Sequence, residues 1–213
     1  MSSDATGGEG VAIDLHVHTA RYSGCAEFLA PSEIAERARS VGLDAVVLTD
    51  HDVLWEEEER DILQQDSPQI RFYRGIECTT DSAHLVVIGL DDAGALHKHI
   101  AFEEAIRLAH LQDAAVILAH PFRDTDPTVL PLQLVDAIEV ASTSFHGDDT
   151  ERAQALARRW RKPTVASSDA HAVSRLGWAW SRFPRMPVDE RDLATMIRAG
   201  EARAVLPAPP RRG

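Results

Sequence analysis

The chain has 213 residues, 44% hydrophobic and 26% charged, which suits a single globular domain with a real core. Its formal net charge of -12, with 34 acidic against 22 basic side chains, argues against duplex nucleic acid or an anionic membrane as a partner. No apolar run reaches the ~18 residues of a membrane span. The two cysteines, Cys25 and Cys78, make no disulfide framework, so a reducing, cytoplasmic setting is expected.

Residues 1–10 are small and polar, without the basic start and apolar stretch of a signal peptide, and are expected to form a disordered leader. One domain is expected over residues 11–206, with residues 207–213 as a flexible tail. Val11, Ile13, Leu15 and Val17 alternate with Ala12, Asp14, His16 and His18. That period of two predicts a strand with Asp14, His16 and His18 on one face. After a loop, Pro31 suits the first turn of a helix, Ile34, Ala35, Ala38 and Val41 fall at helical spacing, and Gly42 suits its C-terminal cap. The run Leu43-Asp44-Ala45-Val46-Val47-Leu48 predicts a buried strand ending in Thr49-Asp50-His51. A charged helix follows over 55–63, then a strand over 70–74 ending in Gly75-Ile76-Glu77, and a strand over 84–90 with His84 at its start. Phe102, Ala105, Ile106 and Ala109 predict a helix over 101–112, followed by a buried strand over 115–119 that ends in His120-Pro121. Strands over 137–141 and 164–166 flank a helix over 150–160, and the second leads into Ser167-Ser168-Asp169-Ala170-His171. Asp189 caps a last helix ending near Gly200, before a terminal strand at 203–206.

This alternation predicts an α/β protein with a mainly parallel sheet. Seven strands precede the last helix, a number that fits a closed barrel and a doubly wound sheet alike. His18, His51, Glu77, His120, Asp169 and His171 fall just past the C-terminal ends of predicted parallel strands, the face on which such folds build sites. Imidazoles and carboxylates together suit Zn²⁺, Mn²⁺ or Fe²⁺. Singly, each has a plainer reading: Asp50 or Asp169 as a cap, Glu77 as a loop carboxylate, His120-Pro121 as a turn. Their convergence favours a metal site. His97, His99 and His110 lie off that face and read as surface histidines, while His146 is assigned no role.

In chain order, Asp14-Leu15-His16-Val17-His18, Thr49-Asp50-His51, Gly75-Ile76-Glu77, Ala119-His120-Pro121 and Ser168-Asp169-Ala170-His171 resemble the motifs of the PHP (polymerase and histidinol phosphatase) family. The resemblance spans residues 11–205. It implies a distorted (β/α)7 barrel, two or three divalent metals at the C-terminal ends of the strands, and hydrolysis of phosphate esters. It assigns His16 and His18 to a first metal, with Glu77 bridging and Asp169 completing or bridging. His84 and His120 join Glu77 on a second metal, and His51 and His171 hold a third. Many relatives add a His or Asp to that third site from the loop after His-x-His. Here that loop offers neither, so Cys25 or a water takes the place.

Two divalent ions about 3.5–4 Å apart lower the pKa of a water between them, making hydroxide available for in-line attack on phosphorus. Asp169 or Asp50 would orient that nucleophile. Where no third metal binds, His51 or His171 would protonate the leaving oxygen. Arg21, Arg123 and Arg175 are candidates to grip the phosphate. The expected substrate is a small phosphorylated metabolite or short nucleotide. Two alternatives remain, a metal-dependent hydrolase of C–N or C–O bonds and a regulatory metal-binding module without turnover.

Overall fold

A computed structural model describes residues 9–26, 30–123 and 125–207. Residues 1–8 of the expected leader and 208–213 of the expected tail lie outside them, as does Glu27 of the loop after His-x-His. The strands are β1 (Val11–Val17), β2 (Ala45–Leu48), β3 (Arg71–Thr79), β4 (His84–Ile88), β5 (Ala115–Leu118), β6 (Ala137–Glu139), β7 (Thr164–Val165), β8 (Trp180–Phe183) and β9 (Arg203–Val205). The helices are α1 (Pro31–Ser40), α2 (Glu57–Asp66), α3 (Phe102–His110), α4 (Asp149–Trp160) and α5 (Glu190–Arg198). All nine strands join one sheet in the order β7-β6-β5-β4-β3-β2-β1-β8-β9. Its two edge strands, β7 and β9, come together, so the sheet is nearly closed into a barrel. The Ser181 hydroxyl of β8 spans part of the seam, accepting from the Ala166 amide at 3.0 Å and donating to the Ala166 carbonyl at 2.8 Å.

Among the described residues eight strands, not the expected seven, precede the last helix, β8 being the addition, and β9 is the expected terminal strand; two strands depart from the parallel run. β4 is antiparallel to both β3 and β5, joined to β3 by a short hairpin rather than a helix. β8 pairs antiparallel with β1 and with β9. The reversal of β4 explains why His84 opens its strand. An antiparallel strand begins where its parallel neighbours end, and His84 sits opposite Thr79 in register, two residues beyond Glu77.

Ile13, Leu15, Val47, Tyr73, Ile117 and Val165 fill the barrel interior with Leu193, Ala194, Met196 and Ile197 of α5. This helix closes one mouth of the barrel, starting from the Asp189 cap, whose side chain accepts from the Asp192 amide. It approaches closely at Gly89, where a Cβ would lie 2.9 Å from the Ala194 Cβ. Both Ala45 and Ala115, in this same interior layer, start their strands, so α5 occupies the N-terminal mouth and leaves the C-terminal mouth for the site. Among the described residues no helix is long and apolar enough to cross a membrane.

Candidate metal centre

β1 does not keep its period of two. Its register against β2 shifts between Asp14 and Val17. Leu15 remains in the interior core, yet the next side chain, His16, also turns inward, as a bulge permits. The Val17 amide donates to the Thr49 hydroxyl at 2.9 Å, which ties the irregular turn down. Asp14 is thereby separated from the histidines. Its carboxylate accepts from the Ser168 amide at 2.8 Å and the Gly177 amide at 3.1 Å, pinning the loop that carries Asp169. Burial pushes the Asp14 carboxyl up to about 6.

Glu77 stands at the centre of the cluster. Its Oε1 lies 2.7 Å from His84 Nδ1 and 2.8 Å from His120 Nε2. Its Oε2 lies 3.1 Å from His18 Nε2, 3.0 Å from His51 Nδ1 and 3.4 Å from His16 Nε2. Asp169 Oδ1 is 3.2 Å from His18 Nε2, 3.4 Å from His16 Nε2 and 3.6 Å from His171 Nδ1. All eight expected metal ligands are thus brought together at the C-terminal mouth. Glu77 Oε2 and Asp169 Oδ1 are buried with no hydrogen bond, and the Nε2 atoms of His16 and His18 face each other at 3.2 Å. Buried carboxylate oxygens ringed by imidazole nitrogens are a donor set that fits a divalent cation. Ligand atoms of His16, His18, Glu77 and Asp169 all lie within 4.8 Å of one another, as do those of His51, Glu77 and His84, and those of His18, Cys25, His51 and His171.

The electrostatics follow from this crowding. Burial alone would lower His16, but the Asp169 and Glu77 carboxylates outweigh it and hold that imidazole well above 6.5. His18 is raised in the same way: burial opposes, and its close contacts with the Asp169 and Glu77 carboxylates prevail. Burial would raise Glu77 and Asp169, yet the charge of His16 and close contacts with neighbouring histidines keep both below the usual carboxylate range. His51 goes the other way, pushed down to about 4 by burial, with the neighbouring histidines His18, His84 and His16 adding to it. His171 is lowered as well, by burial and His18. Asp52, His120, Phe122 and Asp169 all have positive φ, so the rim concentrates unusual backbone conformations, as functional sites do.

The other expected site residues separate. Asp50 is fully buried, and each of its oxygens takes two donors. Oδ1 accepts from the Thr19 amide at 2.7 Å and the Ser23 hydroxyl at 2.5 Å, Oδ2 from the Thr19 hydroxyl and Trp55 Nε1, both at 2.7 Å. Its geometry is that of a loop anchor. Arg123 reaches the cluster, with guanidinium nitrogens 3.2 Å from His84 Nδ1 and 3.8 Å from Asp169 Oδ2. Arg21 instead pairs with Glu59 at 2.5 Å, and Arg175 is exposed in the short 3-10 turn Val173–Arg175. His97, His99 and His110 are exposed, as is His146.

Three residues of the site were not singled out in advance. Glu139, the last residue of β6, lies 3.4 Å from His16 Nδ1, accepts from the His120 amide at 2.7 Å and takes the Ser167 hydroxyl. A carboxylate within the apolar run Ala137-Ile138-Glu139-Val140 was the available signal. Ser144 donates to Asp169 Oδ2, and Ser23 lies 3.3 Å from His18 Nδ1. A serine in a loop carries no such mark.

Among curated proteins none matches by sequence. The fold resembles that of a two-domain protein of Bacteroides vulgatus ATCC 8482 containing a predicted PHP-like metal-dependent phosphoesterase. The two are 18% identical over 97% of this chain and 67% of that one, with a TM-score of 0.69. An amidohydrolase from Chromobacterium violaceum, with sulfate bound and no metal, is 20% identical over 92% of this chain and 98% of its own, with a TM-score of 0.64. Endonuclease Q, in complex with a 27-mer duplex bearing an abasic lesion at its active site, is 18% identical over 89% of this chain and 56% of its own, with a TM-score of 0.60. That complex corrects the exclusion of duplex nucleic acid: a protein that shares this fold holds a duplex substrate with an abasic lesion at its active site. The physical error lay in the net charge, a sum over the whole surface, where binding is decided by the local field at the mouth of the site. The PHP-associated family matches residues 147–202, a segment that holds α4, Asp169, His171 and α5. That segment lies within the chain whose fold the solved structures share.

Proposed function

We propose that this chain is a metal-dependent phosphoesterase acting on a phosphate ester of a metabolite or nucleotide. The observation that carries the reading is the division of Glu77, one oxygen facing His84 and His120 and the other facing His16, His18 and His51. A carboxylate so divided is suited to bridge two ions. His16, His18, Asp169 and Glu77 would hold one, and Glu77, His84 and His120 a second. When bound, such ions polarise a phosphate oxygen and make a water acidic enough to deprotonate near neutral pH.

The remaining work falls to the protein. Arg123, partly exposed at the edge of the cluster, places a planar cation where a phosphate would enter and can bind two of its oxygens. Glu139 holds the Nδ1 side of His16 and so turns Nε2 toward the cluster. Ser144 engages Asp169 Oδ2, leaving Oδ1 to the site. Asp50 acts as a positioning residue through Thr19, Ser23 and Trp55. The fold shared with an amidohydrolase supports a second reading, hydrolysis of a C–N bond at the same cluster.

The test is product release by the Mn²⁺-reconstituted protein on a panel of sugar phosphates, histidinol phosphate, nucleotides, short oligonucleotides, an abasic duplex and simple amides. Phosphate or nucleotide release that vanishes in Asp169→Asn is the expected result. Amine release without any phosphoester cleavage would move the assignment to the second reading. Full activity in Asp169→Asn would overturn the site.

A further inference from the structure

We propose that Cys25 is a metal ligand, and that its Sγ, with His51 and His171, forms a thiolate-bearing site that prefers Zn²⁺ to Mn²⁺. The inference rests on the reading that the cluster holds metal, and adds a further position to it with a different chemistry. Ligand atoms of Cys25, His18, His51 and His171 lie within 4.8 Å of one another. His18 already has its Nε2 at 3.1 and 3.2 Å from the carboxylate oxygens of Glu77 and Asp169, which commits it to the neighbouring position. Cys25, His51 and His171 remain. Two imidazoles and a thiolate are a zinc donor set, and three protein ligands leave a fourth position for solvent or a substrate oxygen.

The loop that carries Cys25 is built rather than incidental. Ahead of it, Asp50 accepts from the Thr19 amide, the Thr19 hydroxyl and the Ser23 hydroxyl. The Ser23 amide donates to the Thr19 carbonyl at 3.0 Å, and the Ser23 hydroxyl in turn accepts from the His51 amide at 3.2 Å. Behind it, the Ala26 amide donates to the Ser23 carbonyl at 2.9 Å, and Ala26 is fully buried against the core that holds Val17 and Ile34. Cys25 is thus fixed between two anchored neighbours, yet solvent-accessible. A hard oxygen donor there would leave the site open to Mn²⁺. Sulfur shifts the preference toward Zn²⁺, because thiolate pairs poorly with hard ions. Cys78, the other cysteine, is buried in the outer core and provides an internal control.

The experiment uses the full chain stripped by a chelator and then titrated with Co²⁺, Zn²⁺ or Mn²⁺. Cobalt is expected to give a thiolate charge-transfer band that is absent in Cys25→Ser and in Cys25→Asp. Zinc, unlike manganese, is expected to slow alkylation of Cys25 by iodoacetamide, mapped by mass spectrometry, by roughly tenfold or more. Cys25→Ser is expected to lose about one equivalent of zinc, and Cys25→Asp to keep it. Metal binding with no band and unchanged alkylation would overturn the Cys25 assignment and leave the phosphoesterase reading standing. A wild-type chain that retains no metal at all would overturn both.

Discussion

At the scale of single residues, the candidate ligands are held in place by side chains outside their own ring. Glu139 is the clearest of these. It faces His16 Nδ1 with one carboxylate oxygen and holds the His120 amide with the other, so it positions ligands assigned to two different ions. Glu139→Gln keeps the shape but replaces one acceptor with a donor. Loss of such a supporting bond typically weakens metal binding by about 10–100-fold, and that is the expected effect here, read by competition with a chromogenic chelator. Unchanged affinity would mean that packing alone orients His16. The convergence of most of the cluster was legible from residue type and place, because His16, His18, His51, Glu77, His120, Asp169 and His171 all lie at or near the end of an apolar run. Supporting residues such as Glu139 and Ser144 were not, since their role comes from tertiary contacts that a local pattern does not encode.

At the scale of the element, the strands carry the ligands only as accurately as they pack. On β3, Tyr73, Gly75 and Glu77 point into the barrel, and Gly75 is small because its neighbours leave no room. A Cβ there would lie 3.0 Å from both Val47 Cγ1 and the Val87 carbonyl oxygen, and 3.1 Å from Thr49 Cγ2. The Val87 oxygen belongs to the β4 backbone and cannot withdraw without disturbing the ladder. Gly75→Ala is therefore expected to cost about 1–3 kcal/mol, as overpacked cores do, and to weaken metal binding by shifting Glu77. Denaturant unfolding beside a metal titration checks both, and a stable variant with intact affinity would sink the argument. The strands themselves were readable as short apolar runs, but their directions were not. β4 resembles its parallel neighbours in composition, and only the histidine at its start marked the reversal. β8, Trp180-Ser181-Arg182-Phe183, lies between β1 and β9 with alternate positions only half-buried, mixes large aromatic and polar side chains, and so lacks the apolar run that reveals a buried strand. The bulge in β1 was equally hidden, since the sequence alternates regularly through the point where the backbone does not.

At the scale of the whole molecule, α5 fills one mouth of the barrel with apolar side chains and the ligand cluster fills the other, so a group of opposed charges rests on a dry interior. That arrangement ties stability to pH through the same atoms that are proposed to hold metal. Consider the protein stripped of metal by a chelator. His16 and His18 hold protons above the ordinary 6.5, so the stability they contribute is complete below that value and is lost as pH rises through their folded-state values. Glu77 and Asp169 lie below their ordinary 4.5 and 3.8, so their contribution is present above those values and is lost as pH falls through the depressed ones. The stripped protein should therefore have its highest Tm between about pH 5 and about pH 6.5, and should melt earlier at pH 8. A divalent ion supplies the positive charge that the imidazoles lose on deprotonation, and protons compete with it for the same nitrogens. The rise in Tm on adding metal should accordingly grow as pH increases. Calorimetric scans across this range, with chelator and with saturating zinc, measure both curves. A stripped protein more stable at pH 8 than at pH 6, or a metal-induced gain that does not depend on pH, would show that the cluster is not held together by the charges of its own ligands.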